Sequence, residues 1–381
     1  LHQAKTFANR FMKFTALLSA LAVSVSGKTA GCGQSKPKNG KQTFQNQNHN
    51  REFWLHVPSG YDKDTPTPVV VLFHGWGYSG KEWYSGGGWG AVSAAPAADK
   101  HNFILVAPTG LDDPKLGGNC DNGGGYCSWN GGGTTGSPGP EGPTCNYNKQ
   151  KDDLCYRDTC PDGCKDICSW TTCNDDTTMV HALVDKIEDE LCVDTSRLYV
   201  GGESNGGVMT WQMGTDSRAA RFAAFVATIG LPHHGFNFLP SIVPMPIMGI
   251  WGSSDRTIPH GNNNAEYTES QDGWYYTTAR TITKDWSAAH GCNTKSSPSK
   301  YATSFDGDSG LACTAYSEEC STGTAAPVVD CRFTGGHVVK SFVPELMWEF
   351  FSLHTRQLEH AQLAYNRSAW GGVTNSSTAL H

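Results

Sequence analysis

The strongest constraint on how this chain folds is an apolar run that leads into a glycine-rich box with one serine. Residues 198–200 predict a buried strand, and the apolar residues from Val208 onward predict a helix. Between them lies the G-x-S-x-G sequence Gly202-Glu-Ser-Asn-Gly206. A sharp strand-to-helix turn lifts Ser204 above the sheet edge, and the backbone N–H of Asn205 faces the same space. The segment therefore predicts a serine nucleophile, and the alternative is an ordinary serine in a glycine-rich turn.

Further apolar runs predict the strands and helices around this turn. Continuous apolar runs indicate buried strands, and apolar residues at helical spacing indicate helices. The predicted strands are 42–48, 52–57, 69–73, 103–107, 225–226, 247–251 and 328–329, and the predicted helices begin at Asp175, follow Ser204, contain Trp286 and span 346–353. Buried strands that alternate with helices predict the α/β class, with a mostly parallel central sheet and helices on both faces.

A serine hydroxyl is nearly inert until a base removes its proton and a carboxylate orients that base. In strand–turn–helix sites of this type, the acid and then the histidine follow the serine along the chain. Asp255 comes just after the strand at 247–251 and is the predicted acid, with a turn-capping role as its alternative. Asp306 and Asp308 are weaker candidates because their polar loop has no preceding strand.

The predicted base is His337, which lies just beyond the last predicted strand. It follows two glycines, residues 335–336, and glycines allow a loop to turn so that an imidazole reaches inward. Four other histidines are less suited to be the base. His233 and His234 are candidates to line a pocket, and His354 and His360 lie on the closing helix.

Acyl transfer also needs a second backbone donor for the oxyanion, besides Asn205. The segment His74-Gly-Trp-Gly77 directly follows a predicted buried strand. The amide of Trp76 or of Gly77 is therefore the candidate for this donor. His74 itself is expected to be a hydrogen-bonded core residue and not a catalytic group.

Charge and cysteine content exclude several function classes. The 381 residues carry a net charge of −7 and no evident basic face, which argues against nucleic-acid binding. Eight of the fourteen cysteines lie in the glycine-rich segment 111–175, which we predict to be a disulfide-stapled insertion in an oxidising compartment. Zinc binding by Cys160, Cys164, Cys168 and Cys173 is the alternative, but their spacing lacks C-x2-C pairs. We predict no metal and no cofactor.

Both ends of the chain favour secretion. Lys13 precedes a short apolar stretch, 14–25, that ends in small residues, as in a secretory signal peptide. Residues 1–30 are predicted to be upstream residues and a signal peptide, residues 31–355 the catalytic domain, and residues 356–381 a polar tail. The tail carries glycosylation sequons at Asn366 and Asn375. No later segment is long and apolar enough to cross a bilayer. The protein is therefore predicted to be extracellular and not membrane-bound.

The blocks that carry a resemblance to a known family are Asp175-Asp176 with its helix, Cys192-Val-Asp194, Arg197-Leu-Tyr-Val200, Gly202-Glu-Ser-Asn-Gly-Gly-Val-Met-Thr210, Gly252-Ser-Ser-Asp255 and Gly335-Gly-His337. With Gly31-Cys-Gly33, they resemble the secreted feruloyl esterase and polyhydroxybutyrate depolymerase family of α/β-hydrolases. The resemblance implies an α/β-hydrolase fold, ester hydrolysis without a metal, and a Ser204–Asp255–His337 triad. The chain departs from the family in its long cysteine-rich insertion and in having Val338 where a tryptophan usually follows the histidine.

These observations lead to one functional hypothesis, a secreted serine carboxylic ester hydrolase that releases hydroxycinnamic acids from plant cell-wall polysaccharide. Trp76, Trp170 and Trp251 are candidates to stack on the phenolic acyl group, although each also suits core or loop packing. The alternatives are a depolymerase of polyhydroxyalkanoate or another polyester, a peptidase with the same triad, and a catalytically silent binding protein. Cysteine pairing does not follow from sequence. We hypothesise a Cys292–Cys331 disulfide that holds the His337 loop to the sheet.

Overall fold

The structure is a computed structural model. It describes residues 28–87, 92–136, 138–150, 154, 156–160, 167–236, 238–240, 245–262, 265–292, 297–298, 310–316 and 326–356. Several predictions fall outside these residues, namely the signal segment 1–27, Asp306, Asp308, His360 and the sequons at Asn366 and Asn375.

Strands and helices alternate along the described chain. The strands are β1 (Gly40–Asn46), β2 (His49–His56), β3 (Thr67–Phe73), β4 (Ile104–Pro108), β5 (Val193–Glu203), β6 (Ala224–Thr228), β7 (Ile247–Gly252), β8 (Tyr267–Glu269), β9 (Tyr275–Thr277), β10 (Ser297–Pro298), β11 (Ala312–Tyr316) and β12 (Val328–Phe333). The helices are α1 (Lys81–Ser85), α2 (Ala95–His101), α3 (Asp176–Glu190), α4 (Asn205–Thr215), α5 (Ala279–Ala289) and α6 (Val343–Phe351). No helix among the described residues is long and apolar enough to span a membrane.

Ten of these strands form one sheet in the order β1-β2-β4-β3-β5-β6-β7-β12-β11-β10. The six central strands, β4 to β12 in this order, pair in parallel. The outer pairs at both ends are antiparallel. The prediction of an α/β-hydrolase fold with a mostly parallel central sheet is confirmed.

The central strands are buried on both faces, as their continuous apolar sequences require. In β3, Val69, Val71 and Phe73 pack in the core that contains the apolar faces of α3, α4 and α5. The alternate residues Val70 and Leu72 pack in a second core with α1, α2 and α6. Burying a valine or leucine side chain contributes about 1.5–3 kcal/mol, so this alternation stabilises the sheet from both sides.

The insertion at 111–175 contains little regular structure in its described parts. One short 3₁₀-helix spans Cys120–Asn122. Three disulfides link residues within the insertion: Cys120–Cys127, Cys145–Cys168 and Cys160–Cys173. Three of the four cysteines considered for zinc are thus disulfide-bonded. A fourth disulfide, Cys32–Cys192, ties the N-terminal segment to the start of β5.

The predicted Cys292–Cys331 disulfide is wrong. Cys331 on β12 pairs with Cys313, which lies directly opposite on the antiparallel strand β11. The two Cα atoms are 4.0 Å apart. Cys292, just after α5, is disulfide-bonded elsewhere. The error arose because β11 was not predicted, so the neighbour of β12 at this register was missing.

A buried ion pair joins the first hairpin to the start of α3. Arg51 Nη1 donates to Asp176 Oδ1 at 3.0 Å, and both side chains are fully buried. The Asn130 N–H donates to the other Asp176 oxygen. We expect Asp176→Asn to destabilise the fold by about 3–5 kcal/mol, because it leaves a guanidinium buried without a counter-ion. Urea unfolding measures this loss.

The matched control is Asp64→Asn, which removes an exposed ion pair with Lys63. Water screens a solvent-exposed pair and leaves it little net contribution to stability, so this variant should unfold near the wild-type midpoint. Equal destabilisation by the two substitutions would contradict the role given to the buried pair.

His290, which caps α5, makes folding sensitive to acid. Burial lowers its pKa to about 4. The Met245 N–H donates to Nε2, so the neutral ring donates from Nδ1 to the Ala326 carbonyl. Between pH 6.5 and 4 the unfolded chain binds a proton at this histidine that the folded chain does not. The stability that His290 contributes is therefore complete above pH 6.5 and is lost as the pH falls toward 4.

We expect the loss of unfolding free energy between pH 7 and 4.5 to be about 2–3 kcal/mol smaller in His290→Gln than in wild type. The difference isolates this imidazole from carboxyl groups that titrate in the same range. Replacing the exposed His49 by glutamine provides the control. Parallel pH dependence in wild type and His290→Gln would refute the assignment.

Candidate active site

The residues of the candidate site follow four parallel strands of the central sheet at their carboxyl ends. Ser204 follows β5, Asp255 lies three residues beyond β7, His337 lies four residues beyond β12, and Trp76 lies three residues beyond β3. Parallel strands end at the same edge of a sheet, which is where α/β proteins place their sites. Segments far apart in sequence therefore meet above one edge.

The turn between β5 and α4 is tightly folded. Ser204 has φ 54° and ψ −121°, a left-handed conformation that costs a non-glycine residue about 1–3 kcal/mol. A Cβ on Gly202 would lie 2.4 Å from the Gly206 carbonyl oxygen, and one on Gly206 would lie 2.3 Å from the Phe73 carbonyl oxygen. Only glycine fits at these two positions. The strained backbone directs the serine side chain out of the helix and over the sheet edge.

His337 lies between Ser204 and Asp255. Its Nε2 is 2.9 Å from Ser204 Oγ, and its Nδ1 is 2.7 Å from Asp255 Oδ2. An ionised carboxylate only accepts hydrogen bonds, so Nδ1 donates to Asp255 and the neutral ring accepts the serine hydroxyl at Nε2. The structure thus brings the three residues into one hydrogen-bonded chain in the order that proton removal from serine requires.

The Asp255 carboxyl group is held by its own turn. Its Oδ1 accepts the N–H groups of Thr257 and Ile258 at 2.9 and 3.0 Å, which leaves Oδ2 for His337. The side chain is 1% exposed, whereas that of His337 is 20% exposed. Asp255 therefore caps its turn and contacts His337 at the same time, and these two roles are not alternatives. Each role uses one of the two oxygens.

Two backbone amides beside Ser204 are candidates to stabilise a developing oxyanion. The loop after β3 lies against the serine, since a Cβ on Gly75 would be 3.4 Å from Ser204 Cβ. The next amide, that of Trp76, and the amide of Asn205 at the start of α4 are the candidate donors. Gly77 does not fit this role, because its N–H donates to the Cys127 carbonyl at 2.8 Å. Of the two candidates in this loop, the structure retains Trp76.

Two of the three tryptophans considered for substrate contact do not line an open surface. Trp251 is fully buried within β7 and packs in the core, so it is excluded as a stacking residue. Trp170 is 8% exposed, and its Nε1–H donates to His233 Nε2. The Trp76 ring is half-buried. Its Nε1–H donates to the Tyr156 hydroxyl and also lies 3.2 Å from the Trp170 carbonyl oxygen.

Two other histidines near the site are poor candidates for the base. Burial lowers the pKa of both His74 and His233 to about 4, so each stays neutral at neutral pH. His74 accepts the Gly110 N–H at Nε2 and donates from Nδ1 to the Gly75 carbonyl. It is the hydrogen-bonded core residue that the sequence predicted, and it fixes the loop that carries Trp76.

Sequence reasoning missed how the insertion is attached to the site. The Asn205 side chain accepts the Trp129 N–H at 2.7 Å and donates to the Trp129 carbonyl at 3.1 Å. The Trp129 ring, fully buried, donates its Nε1–H to the His74 carbonyl. The insertion is therefore held by the residue after the serine and by the loop of the candidate oxyanion donor. A buried tryptophan within a polar, glycine-rich segment was the available signal.

Curated proteins similar to this chain are esterases. Feruloyl esterase C of Emericella nidulans is 23% identical over 84% of this chain and 92% of its own length. Probable feruloyl esterase C of Aspergillus niger is 22% identical over 88% of this chain and 94% of its own length. Acetyl xylan esterase from Aspergillus awamori, a solved structure, has a TM-score of 0.47 at 14% identity, covering 82% of this chain and 99% of that one.

No family model matches the chain. The similarity to feruloyl esterase C nevertheless extends along nearly the whole length of that enzyme. The chain is a carboxylic ester hydrolase with the α/β-hydrolase fold, and it is similar in sequence to feruloyl esterase C.

Proposed function

We propose that the protein is a secreted serine esterase that releases hydroxycinnamic acids, ferulic acid first among them, from plant cell-wall polysaccharide. The observation that carries the proposal is the continuous hydrogen-bonded chain from Ser204 through His337 to Asp255, built on a strained turn. This arrangement serves acyl transfer and has no evident purpose in a binding protein. The names of the similar fungal enzymes support the choice of substrate.

The proposed reaction has two steps. His337 Nε2 takes the proton of Ser204 as Oγ attacks the ester carbonyl, and the N–H groups of Trp76 and Asn205 stabilise the oxyanion. The imidazolium, paired with Asp255, gives its proton to the departing alcohol and leaves an acyl-enzyme. Water, deprotonated by His337, then attacks this ester, and the serine is restored when the acid leaves.

The proposed acyl contact is the ring of Trp76. Its Nε1–H is fixed by the Tyr156 hydroxyl, and Tyr126 packs edge-on at 5.6 Å between ring centroids. Stacking on a rigid aromatic ring suits a planar phenolic acid. Trp170, largely buried behind this ring, supports its position through the backbone carbonyl and is not itself proposed to touch substrate.

Secretion is part of the proposal. Five disulfides join pairs of described cysteines, and one of them links residues 160 positions apart. Such a framework persists in oxidising compartments and is rare in the cytosol. Recovery of the protein from culture medium, cleaved within its first 30 residues, would support secretion. Retention of the protein inside the cell with reduced cysteines would contradict it.

The deciding experiment compares substrates. Wild-type protein is incubated with de-starched bran and methyl ferulate, with a polyhydroxybutyrate film, and with casein. Release of ferulic acid without clearing of the film or cleavage of casein supports the proposal. Clearing of the film without hydroxycinnamate release would instead indicate a polyester depolymerase. Release of peptides from casein would indicate a peptidase.

A further inference from the structure

Glu203, the residue directly before Ser204, pairs its carboxyl group with that of the buried residue Glu82. Its Oε1 accepts the Gly75 N–H at 2.8 Å. The carboxyl group of Glu82, on α1, is hydrogen-bonded to that of Glu203. Glu82 is only 4% exposed. The pair therefore joins three separate segments, namely α1, the loop after β3 and the turn that carries Ser204.

The two carboxyl groups hold one proton between them. No described lysine or arginine acts on the pair, and the one other titratable group that does is His337. Two unpaired carboxylates in contact in a buried site repel, which favours one protonated and one ionised group. Burial, followed by the adjacent Glu203 charge, raises the pKa of Glu82 far above its ordinary value. Burial also raises the pKa of Glu203, while His337, the hydrogen bond from Glu82 and the Gly75 N–H act in the opposite direction and favour its ionised form.

We propose that Glu82, as a neutral acid, donates to the Glu203 carboxylate, and that this pair positions the oxyanion loop and stabilises the His337 imidazolium. The inference rests on the serine esterase function proposed above. Glu82 and Glu203 act through other groups and are positioning residues.

The first effect is geometric. The Glu203 carboxylate accepts the amide of Gly75, the residue directly before the oxyanion donor Trp76. The contact is close, since a Cβ on Gly75 would lie 2.6 Å from Glu203 Oε1. The donor amides must be aligned before the reaction begins, and a displacement of about 1 Å costs as much as about 10²-fold in rate. Glu82 keeps Glu203 in the orientation that holds this loop.

The second effect is electrostatic. The negative charge on Glu203 acts on His337 in addition to that of Asp255, so two anions favour the imidazolium that forms in the transition state. The proton carried by Glu82 limits the total charge of the pair to one negative charge. The pair thus supplies charge to the base without a second buried carboxylate.

The test compares Glu82→Ala, Glu82→Gln and Glu203→Gln, with Glu345→Gln on the surface of α6 as the control. We expect Glu82→Ala to lower kcat for p-nitrophenyl acetate by about 10- to 100-fold with KM changed by less than about twofold. Glutamine at 82 still donates to Glu203, so Glu82→Gln should recover most of this loss. Circular dichroism establishes that each variant is folded.

Glu203→Gln keeps the acceptor for Gly75 but removes the charge. The acid limb of the kcat/KM profile should therefore move to lower pH by roughly 0.5–1 pH unit, because the imidazolium is less stable. A merely structural role would leave this limb in place. An unchanged limb, or Glu82→Gln as impaired as Glu82→Ala, would overturn the proposal.

The rate of labelling by a fluorophosphonate provides the second readout, because it depends on Ser204 and the oxyanion donors whatever the natural ester is. The labelling rate should follow the same order, with Glu82→Ala slowest. If wild-type protein is labelled but hydrolyses no hydroxycinnamate ester, the proposed substrate is wrong. The labelling rates of the variants still test the pair formed by Glu82 and Glu203. Equal labelling rates in Glu82→Ala, Glu345→Gln and wild type would refute the positioning role.

Discussion

Replacing Ser204 by alanine is expected to lower kcat for p-nitrophenyl acetate and methyl ferulate by about 10⁴- to 10⁶-fold. The hydroxyl is the only protein group in the proposed mechanism that forms a covalent bond to the substrate. Alanine keeps a Cβ at the strained φ of 54°, so the turn and the two donor amides remain in place. The residual rate would then report the contribution of the donors and of substrate binding alone.

Three measurements make this prediction decisive. Steady-state rates are compared with those of Ser217→Ala, an exposed serine that should behave as wild type. Mass spectrometry after fluorophosphonate treatment should show one adduct in wild type and none in Ser204→Ala. A loss of less than about 100-fold, or an adduct that persists in the variant, would remove Ser204 from the mechanism and favour a catalytically silent protein.

The second large effect is expected for Asp255→Asn, which should lower kcat by about 10⁴-fold, the loss seen when the acid of a serine–histidine–aspartate triad is changed in this way. The local hydrogen bonds determine which way the new amide points. Thr257 and Ile258 both donate N–H groups to Oδ1 and require an oxygen there. The amide nitrogen is therefore left facing His337 Nδ1.

That orientation reverses the tautomer of the base. A donating amide makes Nδ1 an acceptor, which moves the ring proton to Nε2, where it can no longer accept from Ser204. We expect the rate to fall with little change in KM or in thermal stability, and proton NMR of the imidazole ring would report the exchanged tautomer. Asp272→Asn, an exposed change in a nearby turn, is the control. Activity within tenfold of wild type would rule out Asp255 as the orienting acid.

The elements that sequence predicted well are those with strong local patterns. The central strands β3, β4 and β7 are continuous apolar runs, and α3 begins where Asp175 caps it by accepting the Thr178 N–H. Both patterns follow from residues close together in the chain. Burial on two faces needs an unbroken apolar run, and a helix start needs a side-chain acceptor for its first amides.

The elements that sequence missed are short and depend on distant neighbours. The hairpin of β8 and β9 has only three residues in each strand, and its sequence is rich in tyrosine, threonine and glutamate with no apolar alternation. The strand β11 has mixed exposure and is recognisable mainly by its pairing with β12. Missing β11 led directly to the wrong disulfide, because the partner of Cys331 depends on strand register.

The sequence by itself determined the order of the central strands and of the helices α3 to α6, the serine turn, and which aspartate and histidine follow strands of the sheet. These properties depend on the local pattern of apolar residues and glycines, which acts over a few positions. The tertiary structure decided that the Gly77 amide is already hydrogen-bonded, which cysteine faces Cys331, and that Trp251 is buried while Trp76 is partly open. It also revealed the pair formed by Glu82 and Glu203. Each of these depends on distances between segments far apart in the chain, and such distances are set only when the sheet and its covering helices pack together.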